Sequence, residues 1–242
     1  MPGTLYIVAT PIGNLRDITL RAIDTLKAVA LIACEDTRHT SNLLSHYEIH
    51  KPLVSLHEHN ERKRTPELIE KLKHGQSVAL VCDGGTPLVS DPGWLLVHRA
   101  IEEHVPVSWI PGPAALIGGL VLSGLPSDRF VFEGFLPAKA SARRRRLEAL
   151  KGEPRTVILY ESPHRLVNML RDLHEVLGDT PVACARELTK MFEESRRGKA
   201  GELIAHFEKH PPRGEFVVVF SNRQSSIPAR LVERGAGRDN RQ

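Results

Sequence analysis

Two adjacent carboxylates, a threonine and an arginine, "EDTR" at residues 35–38, follow directly on the apolar run "ALIAC". A carboxylate within reach of a hydroxyl can take its proton as general base, and an arginine can grip a phosphate. Glu35 and Asp36 are therefore candidates for a base or a substrate-orienting group, and Arg38 for a phosphate clamp. The same residues suit a plainer role. An Asp-Thr pair ahead of a helical pattern is what N-capping selects, with the flanking charges lying in the first turn. Sequence alone leaves both readings open.

Three more apolar runs empty into loops of similar character. "TLYIVA" is followed by "TPIGNL", "SVALVC" by "DGGTPLVSDPG", and "PVSWI" by "PGPAA". One such exit is an ordinary βα turn, because Gly, Pro and Asp are turn residues. Four at the ends of parallel strands would lie on one sheet edge, where open α/β folds bind ligands. Neither G-x-G-x-x-G nor the P-loop pattern occurs, so the usual phosphate cradles are missing. Glycine lets backbone amides approach a ligand, and proline stiffens the turn. These loops suit a rigid nucleoside-like ligand. S-adenosylmethionine fits, with an adenine edge for backbone groups, an amine and a sulfonium for carboxylates, and no phosphate.

Positioning these loops requires alternating strands and helices, and the chain alternates from its first residues. Strands are predicted at 4–9, 30–34, 53–57, 77–82 and 106–110, with helices at 19–29 (Thr19 as N-cap), 37–45, 61–74 and 93–103. This order argues an α/β fold with a parallel sheet. A second series follows, with strands at 129–135, 156–160, 181–186 and 215–220 and helices at 140–150, 165–177 and 201–209. Gly124, Pro126 and Ser127 mark the break. The predicted division is an N-terminal α/β lobe over 1–124, a C-terminal α/β lobe over 125–224 and a basic, solvated tail over 225–242. A cleft between two lobes is a common place for a ligand.

The chain has 242 residues, 41% hydrophobic and 26% charged, which is ordinary for a globular protein. Its net charge of +4 favours an anionic partner without requiring one. Within "KASARRRR", Arg143, Arg144, Arg145 and Arg146 are candidate RNA contacts, although four consecutive arginines project all round a helix. "RELTKMFEESRRG" reads as a surface loop, with Lys190, Arg196 and Arg197 as weaker RNA candidates. Aromatics make up only 5%, so an extended base-stacking platform is not expected. Cys34, Cys82 and Cys184 are far apart and each follows or interrupts an apolar run, as reduced buried thiols would. With no span-length apolar stretch and no basic leader, the expected location is cytoplasmic, away from membranes. "HEH" at 57–59 lacks the spacing of a zinc site, so no metal is expected.

The blocks "YIVATPIGNLRDITLRAIDTLKAVALIACEDTRHTSNLL", "VCDGGTPLVSDPG", "IPGPAALIGGLVLSGLP" and "YESPHR" resemble the signature blocks of the small-subunit ribosomal RNA ribose methyltransferases, within the tetrapyrrole-methylase-like superfamily of S-adenosylmethionine enzymes. The resemblance runs from about residue 5 to residue 220. It implies two α/β lobes with the cofactor in the cleft between them, a homodimer, and 2′-O-methylation of a cytidine in the decoding region of small-subunit ribosomal RNA, free or in the subunit. It also implies cofactor contacts from Pro11 and Ile12; from Asp83, Gly85, Thr86, Pro87, Leu88 and Val89; from Gly112, Ala114 and Ala115; from Tyr160 and Glu161; and from Glu215 in "RGEF". Helix-start packing explains Gly112 and Ala114 almost as well. Where members of the family continue into a small helical extension, this chain has "SSIPARLVERGAGRDNRQ". Two alternatives stay open: a methyltransferase of a tetrapyrrole or other small molecule, and a non-catalytic RNA-binding or ribosome-assembly protein.

Overall fold

The structure, a computed structural model, describes residues 1–222, so the tail predicted at 225–242 lies outside the described residues. The chain divides into two compact units. One is Met1–Gly118 with Arg186–Glu194; the other is Gly119–Ala185 with the chain from Ser195 onward.

The first unit is built on five parallel strands, β1 (Leu5–Val8), β2 (Leu31–Cys34), β3 (Leu53–Ser55), β4 (Val78–Leu80) and β5 (Val107–Ile110), in the order β3-β2-β4-β1-β5. The connecting helices are α1 (Leu20–Ala28), α2 (Thr37–His46), α3 (Glu61–Lys73) and α4 (Trp94–Glu102). The central strands are apolar on both faces because both are covered. Leu5, Ile7, Leu31, Ala33, Val78 and Leu80 pack with Leu68 and Leu72 of α3 and Leu96 of α4. Their alternates Val8, Ile32, Cys34 and Ala79 pack with Leu26 of α1 and Leu43 and Leu44 of α2. A side-chain period of two thus supplies two cores from one set of strands. Thr19 caps α1 as its sequence predicts, its Oγ1 accepting from the Ala22 amide at 3.1 Å.

The boundary between units falls within α5 (Ala115–Ser123). The second unit has strands β6 (Phe130–Phe135), β7 (Thr156–Glu161), β8 (Pro181–Arg186), β9 (Glu194–Lys199) and β10 (Phe216–Phe220), ordered β6-β7-β10-β8-β9. Its helices are α6 (Ala140–Leu150), α7 (Pro163–Leu177) and α8 (Ala200–Lys209). This sheet is mixed: β6 runs parallel to β7 and β10 antiparallel to it. One core, including Leu147, Leu159, Leu166, Leu170, Leu203, Phe216 and Phe220, joins the three helices to the sheet. β9 corrects the expectation of a surface loop over 186–198. "ESRRGK" is too charged to read as a strand, yet at the sheet edge only one flank needs to pair, and charge there discourages further pairing.

Candidate functional site

The four strand exits do meet. Thr10, just past β1, forms a two-way bridge with Gly85, just past β4: the Thr10 amide donates to Gly85 O (2.8 Å) and the Gly85 amide to Thr10 O (2.9 Å). The Thr10 hydroxyl also donates to Cys82 O at 3.1 Å. From the other side the Thr86 hydroxyl donates to Pro113 O, past β5, at 3.1 Å. The Asp36 amide, past β2, donates to Asp83 Oδ1 at 3.2 Å. Asp83 and Thr86 therefore splice the loop after β4 to the loops after β2 and β5, because β4 lies beside β2 and one strand away from β5 in the sheet order.

The glycines make this convergence possible. A methyl group on Gly112 would lie 2.9 Å from Ala9 Cβ, and one on Gly84 3.2 Å from Pro11 O. Gly85 has φ +98° and sits where a side chain would touch Ile12 Cγ2. Beyond it Leu88 and Ser90 take φ of +74° and +66°. Non-glycine residues adopt this left-handed region at a cost, of order 1–3 kcal/mol each, that the surroundings must offset. Pro87, just before Leu88, is buried, and the Val89 amide donates to Thr86 O, so the segment is a tight wrapped loop. Ala114 stands immediately before α5, where its carbonyl accepts from Ile117 and Gly118, and Ala115 opens that helix.

The carboxylates at this edge differ in character. Asp36 caps α2, its Oδ1 accepting from the Arg38 amide at 2.8 Å, and it pairs with the Arg38 guanidinium at 2.9 Å. Those bonds hold its pKa down to about 2. The capping role is thus real, while the Arg38 side chain remains 89% exposed. Glu35 is half-buried, and burial first, then the nearby Asp83, Asp91 and Asp36, push its carboxyl above the usual range. Burial likewise raises the thiols of Cys82 and Cys34. All three cysteines are buried and free.

Two supports had no signal in the sequence. Glu61, at the start of α3, accepts from the amides of Gly93 (3.1 Å), Leu95 (2.9 Å) and Leu96 (3.4 Å) and so closes the long loop where α4 begins. Thr189 Oγ1 accepts from the Asn14 amide at 3.1 Å, and the Lys190 side chain lies over Gly13, where a methyl group would come within 2.4 Å of its Cγ. These partners lie 32 and 175 residues apart in the chain.

In the second unit, Tyr160 and Glu161 end β7. Glu215 directly precedes β10, and antiparallel pairing sets Phe216 opposite Glu161, so the three gather at one sheet edge. Glu161 is 2% exposed; its Oε1 accepts from the Ser162 amide at 2.8 Å and lies 3.2 Å from Arg165 Nε, while Oε2 is buried without a hydrogen bond. Burial raises its pKa against the lowering pull of the Ser162 amide and Arg165. Tyr160 packs edge-on to Phe132 and Phe135.

The arginine run does not act as one surface, and Arg143 corrects the expectation that it meets RNA. Its side chain is 6% exposed and bound to Asp172 of α7 through Nε (2.6 Å) and Nη2 (2.5 Å), with Nη1 on Ala138 O. Successive helical residues point some 100° apart, so one of four must face the core side of α6. Arg144 pairs with Asp172 and Glu175, and Arg146 with Glu133. Among the described residues Arg145 alone of the four makes no ion pair, and it is exposed. Lys190 is paired with Glu187 at 3.0 Å. His57 and His59 approach edge-on at 6.0 Å, and no group of three His, Cys, Asp or Glu among the described residues is placed to hold a metal ion. No helix among them is long and apolar enough to cross a membrane.

Comparison with known proteins gives the lineage. Residues 4–204 match the family described as Tetrapyrrole (Corrin/Porphyrin) Methylases. The chain is 50% identical over 222 residues to a Thermotoga maritima protein named Ribosomal RNA small subunit methyltransferase I, covering 92% of this chain and 100% of that one. It is 50% identical over 233 residues to the protein of the same name from Escherichia coli O157:H7, covering 94% and 82%. Among solved structures, the fold matches uroporphyrin-III-C-methyltransferase from Thermus thermophilus, with TM-score 0.64, 23% identity and coverage of 90% and 94%. It also matches a diphthine synthase, with TM-score 0.70, 16% identity and 90% of each chain covered. The chain belongs to the tetrapyrrole (corrin/porphyrin) methylase family, within the group named ribosomal RNA small subunit methyltransferase I.

Proposed function

We propose that this protein transfers the methyl group of S-adenosylmethionine to the ribose 2′-hydroxyl of a cytidine in the decoding region of small-subunit ribosomal RNA. The observation that carries the reading is the hydrogen-bonded convergence of the loops after β1, β2, β4 and β5 around Asp83, Gly85 and Thr86. Relatives half identical over nearly the whole chain are named for small-subunit ribosomal RNA methylation. The cytidine and its ribose oxygen follow from the resemblance of the sequence blocks.

The residues fit the cofactor. Glycines at 84, 85 and 112 let the loops after β1, β4 and β5 approach one another closely, and the carboxylates of Asp83 and Asp91 suit a ligand bearing an amine and a sulfonium. Pro11, Ile12, Asp83, Gly85, Thr86, Pro87, Leu88, Val89, Gly112, Ala114 and Ala115 would hold it; Tyr160, Glu161 and Glu215 are candidates that rest on the resemblance of the sequence blocks. When bound, the cofactor supplies an electrophilic methyl group attached to sulfur. The protein's main task is to keep the acceptor oxygen in line with it, since positioning can account for much of the acceleration.

For the proton, Glu35 is the better base. Its raised pKa brings it toward the operating pH, whereas Asp36, held at about 2, is a weak one. Asp36 instead orients Arg38, whose exposed guanidinium takes the phosphate beside the target nucleotide. Arg145, with Arg144 and Arg146 at its flanks, adds RNA affinity that falls with salt. A second copy of the chain would cover the exposed Trp94 and Ile101 of α4 and Val107 and Trp109 of β5, giving a homodimer in the cytoplasm.

The test is methyl transfer in vitro. Purified protein is incubated with methyl-labelled S-adenosylmethionine and small ribosomal subunits from cells lacking it, and the RNA is digested to nucleosides. Label in 2′-O-methylcytidine alone is expected; label in a base-methylated nucleoside, or none, overturns the reading.

A further inference from the structure

We propose that the tip of the hairpin between β8 and β9 is a nucleobase platform, on which Phe192, backed by Met191, stacks an unpaired RNA base close to the target nucleotide. The inference rests on the RNA substrate proposed above.

Met191 is 90% exposed and Phe192 68%. Looseness does not explain this, because the tip around them is closely held. Arg186 and Glu194 pair across its base at 2.7 Å. The Thr189 amide donates to Glu193 Oε2 at 2.6 Å, and the amides of Lys190 and Glu193 donate to Glu187 O and Lys190 O. Glu187 and Thr189 take left-handed φ of +49° and +66°, a strained geometry kept only where surroundings impose it. Leu188 is buried, and Thr189 and Lys190 fasten the tip to Asn14 and Gly13. A rigid loop, fixed on the loop after β1, thus holds two apolar side chains out in water.

Two side chains are too few for a stable protein interface, which covers about 800 Å² per partner. They match one base. Single-stranded RNA is commonly read by splaying a base onto an aromatic ring, with cations nearby for the phosphate. β9 leads from the tip with three cations in "ESRRGK", of which Arg196, Arg197 and Lys199 are all exposed. Low aromatic content rules against a long stacking track, and a single platform needs no more than one ring.

The test uses the full chain as Phe192→Ala, Met191→Ala and Phe192→Tyr, with the small-subunit assay above. Phe192→Ala should raise KM for the subunit about tenfold, leave kcat and the calorimetric affinity for S-adenosylmethionine within about twofold, and leave the salt dependence of RNA binding unchanged because no cation is lost. Met191→Ala should act in the same direction more weakly, and Phe192→Tyr should restore KM. Unchanged KM in an active Phe192→Ala protein overturns the platform alone. So does a fall in kcat and cofactor affinity together, or a shift in sedimentation from dimer to monomer, which would assign the tip to self-association. No transfer by the wild type overturns both this proposal and the function on which it rests.

Discussion

Arg143 and Arg38 carry the same charge and pair with the same kind of partner, yet the molecule puts them to opposite uses. Arg143 and Asp172 lie between α6 and α7 with side chains 6% and 5% exposed, so the pair is part of the second unit's core. Arg38 and Asp36 pair at 2.9 Å at the start of α2 in the first unit, with Arg38 89% exposed, and water screens whatever the pair contributes. Burial, rather than residue type or local density of charge, decides which arginine can meet a phosphate.

The contrast can be broken most forcefully at the buried pair. Arg143→Ala strips buried Asp172 of both bonds to Arg143, leaving it only the half-exposed Arg144 as an ionic partner, and should destabilise the protein by about 3 kcal/mol. Thermal unfolding would show this, and Arg143→Lys should not restore it, since one ammonium cannot replace the two-point contact through Nε and Nη2. A small effect would mean that the pair is not a structural element.

Next in size is Glu35→Gln, expected to lower methyl transfer about 10²-fold with folding intact. Its sign on stability is opposite. The folded-state pKa of Glu35 is raised, so its contribution to stability is fully present below the unfolded pKa and is lost as pH rises through the folded one. Glu35→Gln should therefore melt higher than the wild type near pH 7, the difference closing toward pH 4. Asp36 runs the other way: its contribution persists above the usual carboxylate range and disappears only as pH falls toward 2.

Arg38→Glu should weaken RNA binding about tenfold while sparing cofactor affinity and melting temperature; equal loss of both affinities in a folded protein would contradict the clamp. The smallest effect belongs to Arg145→Ala, which should lower the slope of log affinity against log salt by about 1 and leave unfolding unchanged.

Much of the first sheet was legible because its strands alternate between two apolar cores and α1 and α2 open on the capping residues Thr19 and Asp36. The four-exit edge was also legible, since parallel strands send their carboxyl ends to one side. What stayed hidden depended on partners distant in the chain. Glu61 reads as one more charge on a helix until its carboxylate is found on the amides that open α4. Arg143 could not be separated from its neighbours without the position of α7, and β9 has no propensity that marks it as a strand. The left-handed Leu88 and Ser90 break the residue preferences of their backbone region, and such conflicts gather at functional loops.

The central claim, that the loops after β1, β4 and β5 form one cofactor cradle, is tested most directly by calorimetric titration of S-adenosylmethionine into the wild type and Gly112→Val, whose side chain would press on Ala9 Cβ. One site per chain in the wild type, with binding heat lost in a variant that still unfolds cooperatively, is the predicted result. Absence of heat in the wild type, or equal affinity in both proteins, would contradict it.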